Sequence, residues 1–159
     1  MLSKPEGEMI KRLLWLSIGF LMTGCAIHQN VNPVPKLAEA EICIIENPDV
    51  RSSFLEAYRR ALEAKNLKIR MLPQTAAQRD CRQTSTYTAN WRWDLAHYLA
   101  FVDLNVFTDG RSVGRAIYDS LGGGLNLSKF IDAEKKIYEL VDQLFPSLSP
   151  SNANYTPAQ

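Results

Sequence analysis

Residues 81–94, CRQTSTYTANWRWD, alternate in side-chain character almost without interruption. Successive side chains of a strand point to opposite faces, so a period of two commits this stretch to a long strand with two unlike faces. Tyr87, Ala89, Trp91 and Trp93 point one way, and Thr84, Thr86, Thr88, Asn90 and Arg92 the other. Only the first face asks for apolar cover, and both tryptophans are expected beneath it. A turn at 94–96 leads to a second strand over 98–107, and Asp109-Gly110 is a strong hairpin signal before a third over 113–118. The second half of the sheet is expected to be an antiparallel meander.

The first half of the body reads differently. EICIIE, 41–46, is short, β-branched and apolar on both faces, as a central strand is. Asn47-Pro48 supplies a helix start, after which Val50, Phe54, Leu55, Tyr58, Ala61 and Leu62 recur at helical spacing. Glu56 and Arg60 are placed for an i,i+4 pair. Asn66 ends the helix, and Leu67, Ile69 and Met71 alternate with Lys68 and Arg70 in another strand. Pro73 to Asp80 is polar and reads as a loop. Gly122-Gly123-Gly124 breaks the meander and precedes a second helix over 128–145, with Phe130, Ile131, Ile137, Leu140, Val141 and Leu144 as its buried stripe. The expected fold is α+β, a two-layer sandwich in the order β-α-β-β-β-β-α, with a mostly antiparallel sheet and two helices on one face.

The amino-terminal segment carries an address. Lys11 and Arg12 precede an apolar run over 13–23 that ends at Gly24-Cys25. Eleven helical residues rise about 16 Å, short of a hydrocarbon core of roughly 30 Å, so the run describes a secretory signal, not a membrane span. Translation from Met9 would give MIKR as its basic start. LMTGC, 21–25, resembles the lipobox of bacterial lipoproteins, with Met22 where that motif prefers Leu. The resemblance implies acylation (palmitate among the chains) at Cys25, and several chains on one residue give stable anchoring where a single one does not. Ala26, in place of an aspartate, implies the periplasmic face of the outer membrane. The expected organisation is a signal peptide over 1–24, a lipidated tether over 25–38, one domain over 39–146 and a disordered tail over 147–159.

Two thiols remain, Cys43 and Cys81. In an oxidising periplasm such a pair is expected to form a structural disulfide, the alternative being two separate buried thiols. Composition bears on partners: cleavage before Cys25 removes three basic and two acidic residues and leaves a formally neutral body, which gives no footing for nucleic acid. The stripe Thr84, Thr86, Thr88, Asn90 and Arg92 is either solvated or a surface for an envelope partner. GGGLNLSK, 122–129, lacks phosphate-loop spacing and reads as a linker with a helix cap. No cofactor or metal is expected; His28 stands alone in the tether, and no ligand cluster has a recognisable spacing.

CIIENPDVR (43–51), FLEAY (54–58), TSTYTANWRWDLA (84–96), AIYDS (116–120) and KFIDAEKKI (129–137) together resemble a family of small proteobacterial lipoproteins, the Sbal-type lipoproteins. The likeness spans about 25–146. It implies a cell-envelope address and one compact domain, and it carries no catalytic residue over. The expected function is therefore that of a non-enzymatic binding or assembly accessory module anchored at the outer membrane. The alternative is a small periplasmic hydrolase or ligand-binding enzyme that uses His97 with the strand aspartates Asp94, Asp103 and Asp119.

Overall fold

The computed structural model describes residues 27–148, apart from Lys36, Ala38 and Leu125. The signal segment, Cys25 and almost all of the tail expected over 147–159 lie outside the described residues. Within them the chain is α+β, with a six-stranded mixed sheet and two helices.

Six strands run in the order β1 (His28–Asn32), β2 (Glu41–Ile45), β3 (Lys68–Leu72), β4 (Gln83–Asp94), β5 (Ala96–Thr108) and β6 (Arg111–Asp119). Helix α1 (Ser52–Glu63) joins β2 to β3, and α2 (Ala133–Leu144) closes the body after a single 3-10 turn at Leu127–Phe130. In space the sheet runs β1-β6-β5-β4-β2-β3. The meander β4-β5-β6 is antiparallel, whereas β2 pairs parallel to both β3 and β4. Parallel neighbours need a crossover, and α1 supplies it. The fully apolar character of 42–45 follows from this central place, since all four side chains are buried.

Both helices cover one face. Phe54, Ala57, Tyr58, Ala61 and Leu62 of α1, and Ile137, Leu140, Val141 and Leu144 of α2, are buried against Tyr87, Ala89, Val102, Leu104 and Tyr118 of the strands. Full burial of each large apolar side chain stabilises by about 1.5–3 kcal/mol. Tyr58 is completely buried, and its hydroxyl shares a 2.6 Å hydrogen bond with Ser85 Oγ. Burial pushes its pKa far up, outweighing the opposing effect of that bond.

The elements and their packing depart from the sequence-based expectations at five places. An edge strand, β1, lies where an extended tether was expected, paired antiparallel to β6 from His28↔Asp119 to Asn32↔Arg115. HQNVN shows no apolar period because its hold is partly polar: Gln29 Nε2 donates to Glu139 Oε1 at 2.9 Å and to Gln143 Oε1 at 3.0 Å on α2. Helix α1 begins at Ser52, not at Asn47, whose side chain is spent on Asp49 N and Tyr87 O. Arg60 reaches Glu134 of the other helix at 3.1 Å, leaving the expected Glu56 pair unmade. Helix α2 starts at Ala133 because the Asp132 carboxylate caps it, accepting from Lys135 N at 2.8 Å. Trp93 is 67% exposed, since the β4-β5 hairpin runs on past the helices that cover Trp91.

Candidate functional site

The face of the sheet opposite α1 and α2 carries no α-helix among the described residues; at its hairpin end the 3-10 turn packs on Tyr98, the partner of Arg92. The register assembles this face in rows. His28, Asp119, Phe101 and Asn90 form one row; Asn30, Ile117, Asp103 and Thr88 the next; Asn32, Arg115, Asn105 and Thr86 the third. At its centre Arg115 grips Asp103 with two bonds, Nε to Oδ1 at 2.9 Å and Nη2 to Oδ2 at 2.7 Å. Asn105 Nδ2 donates to the same Oδ1 at 2.9 Å. The carboxylate holds the Arg115 guanidinium pKa above its usual value. A bidentate pair fixes side-chain geometry as well as charge, so the face is polar and ordered, with Phe101, Ile117 and Phe107 half-buried between the polar groups.

Of the expected stripe, Thr88, Asn90 and Arg92 are exposed and Thr86 is half-buried. Thr84 is fully buried and leaves the set: it pairs with Cys43 of β2, and its hydroxyl donates to Cys81 O at 3.2 Å. The neighbours on β5 and β6 that complete the surface, Asp103, Asn105 and Arg115, escape sequence reasoning because only pairing brings them beside β4.

Cys43 and Cys81 are joined, with Sγ atoms 2.10 Å apart and Cα atoms 6.2 Å apart. The bridge ties β2 to the loop before β4. Arg70 on β3 lies against it, Nε 3.2 Å from Cys43 Sγ and Nη2 3.2 Å from Cys81 Sγ, while Nε also meets Glu41 Oε1 at 3.2 Å. Glu41, Cys43 and Cys81 bring potential ligand atoms within 4.8 Å of one another. Bonded sulfurs and a guanidinium among them make this a poor cation site.

His97 and the strand aspartates do not converge. His97 is exposed opposite Trp93 near the hairpin tip. Asp94 pairs with Lys129, Asp103 with Arg115, and Asp119 Oδ1 accepts from Leu121 N at 2.8 Å. A cleft of about 210 Å³ opens elsewhere, between α1, α2 and Trp91, lined by Phe54, Ala57, Arg60, Ala133, Glu134 and Ile137 among others, with none of those four residues.

No family model and no curated protein matches the chain. Solved structures do. A PelC dodecamer variant from Paraburkholderia phytofirmans is 18% identical, with a TM-score of 0.53, and the match covers 75% of this chain and 98% of that one. A PelC dodecamer from the same organism in a second crystal form gives 18% identity and a TM-score of 0.51, covering 76% and 98%. At this identity the likeness establishes a shared fold.

Proposed function

We propose that this chain is an outer-membrane lipoprotein, anchored at Cys25 and facing the periplasm, whose body works by assembly and not by catalysis. The observation that carries the reading is the one-sided sheet. The face turned away from α1 and α2 is an ordered grid of polar groups with half-buried aromatics between them, the mixture found at protein interfaces. The first partner we assign to it is a second copy of the chain. A neutral body imposes little repulsion between copies, and the fold is shared with a protein that forms a dodecamer. The lipobox resemblance and a disulfide suited to an oxidising compartment support the address. Among the described residues no helix is long and apolar enough to cross a membrane, so in this account the acyl chains hold the protein.

A photo-crosslinking side chain at Thr88 in living cells tests the proposal. Adducts at multiples of the chain's own mass are expected, and a foreign envelope protein in the adduct would replace the self-assembly part. A Thr88 probe that yields only monomer, while a control probe at solvent-facing Glu56 behaves identically, contradicts the docking face.

A further inference from the structure

Four of the five large apolar side chains that stand exposed among the described residues gather at one pole. They are Trp93 (67%), Leu95 (85%), Leu121 (50%) and Leu127 (75%); the fifth, Met71, lies on edge strand β3. β1 starts at this pole. Its first residue, His28, shares a row with Asp119, Phe101 and Asn90, and beyond that row β4 and β5 continue alone to the turn at Leu95. Leu121 follows β6 by two residues at the same end. Leu127 opens the 3-10 turn, which is pinned to the hairpin by Phe130 against Tyr98, ring centroids 5.7 Å apart, and by Lys129 to Asp94. The Lys129 ammonium is buried and sits 5.3 Å from the centres of both rings, and its charge is compensated by Asp94, while Arg92 stands exposed beside Trp93.

Covalent reach decides what can cover this pole. Cys25 precedes His28 by three residues, a length of chain that spans at most about 11 Å. From the row of Asn90 and Phe101 to Leu95 the hairpin advances five residues along β4, roughly 17 Å. A lipid on Cys25 would therefore be tethered close to the pole at which β1 starts, the same pole from which the β4-β5 tip projects. We propose that this pole is a membrane-seating surface: Trp93 and Leu95, flanked by Leu121 and Leu127, enter the interfacial layer of the bilayer that holds the acyl chains. Tryptophan suits that layer, with an apolar body and an N–H that stays wet. A depth of about 5–10 Å is typical of apolar faces that lie in the interface. The docking rests on the lipid anchor proposed above and adds orientation to it: the sheet stands on its β4-β5 tip, and both its faces point sideways along the membrane.

The test uses the lipidated protein extracted from membranes and reconstituted in phosphatidylcholine vesicles carrying acyl-chain-brominated lipid. Trp91→Phe leaves Trp93 as reporter in the mature chain, and Trp93→Phe leaves Trp91. Bromine is expected to quench Trp93 at least about two-fold more than Trp91, with a blue-shifted emission, as interfacial insertion requires. The double variant Leu95→Ser/Leu127→Ser is expected to reduce that quenching without changing the melting temperature. Equal, weak quenching of both tryptophans in a sample whose mass shows acylation overturns the seating and leaves the anchor standing. Protection of Trp93 from both brominated lipid and aqueous iodide overturns it in favour of a second copy. An unacylated product removes the anchor and the seating together.

Discussion

Arg70 lies against both sulfurs of the Cys43–Cys81 bridge, 3.2 Å from each. The bridge closes a sequence separation of 38 residues, for which chain entropy gives about 4 kcal/mol of stabilisation. Cys43→Ala/Cys81→Ala is expected to lose that amount, read as a lower denaturant midpoint with a somewhat steeper slope, because the uncrosslinked denatured chain exposes more surface. A midpoint within error of the parent would contradict it. A guanidinium also favours thiolate over thiol, so Arg70→Met is expected to slow alkylation of the two cysteines after the bridge is reduced, and an unchanged alkylation rate would contradict it.

Gly114 sits where the segment after β1 crosses β6. A Cβ there would meet Val34 Cγ2 at 2.5 Å, Val34 N at 3.2 Å and Asn32 O at 3.3 Å. Gly114→Ala is expected to cost about 1–3 kcal/mol through overpacking. Val34→Ala in the same chain removes the nearest obstacle, so the double variant should lose less than the sum of the singles, a coupling visible in a thermodynamic cycle. Strict additivity would show that the crossing relaxes without strain.

This crossing marks where sequence reasoning stops. The βαβ unit, the meander and the Asp109-Gly110 turn were legible because each is local: both turn residues have positive φ, 51° and 76°, as an Asp-Gly hairpin needs. The Cys43–Cys81 pair was legible by counting. Strand β1 was not, because an edge strand held by Gln29 to α2 leaves no apolar period. Trp93 was misplaced because alternation tells the face of a residue, not whether a helix extends far enough to cover it. The outer-face grid was half legible: β4 supplied Thr86 to Arg92 by alternation, while Asp103 and Arg115 needed the register.

Tyr58→Phe keeps the ring and removes the 2.6 Å bond to Ser85. Ser85 Oγ still reaches Asn105 O at 3.2 Å, so the expected cost is about 1–2 kcal/mol, near that of one buried hydrogen bond. Tyr58→Ala, which also empties the space under α1, should cost about 3–5 kcal/mol. A spectroscopic titration should find Tyr58 the last tyrosine to ionise, since burial raises its pKa.

Glu139 links α2 to β1. Partial burial disfavours its charge, yet hydrogen bonds from Lys136 (2.6 Å), Gln29 (2.9 Å) and Gln143 (3.2 Å) prevail and lower its pKa. A carboxyl whose pKa falls on folding contributes stability that is present above its unfolded value and lost as pH drops through the lowered one. Glu139→Gln should therefore flatten the acid limb of stability below about pH 4.5, with little change in slope above it. An unchanged acid limb would mean that these bonds are not kept in solution.

The most direct measurement of the central claim is the intact mass of the protein extracted from cell envelopes. The account predicts a chain beginning at Cys25 whose excess mass equals a diacylglyceryl group with a further amide-linked acyl chain. A product of unmodified peptide mass, recovered in the soluble fraction, would contradict it.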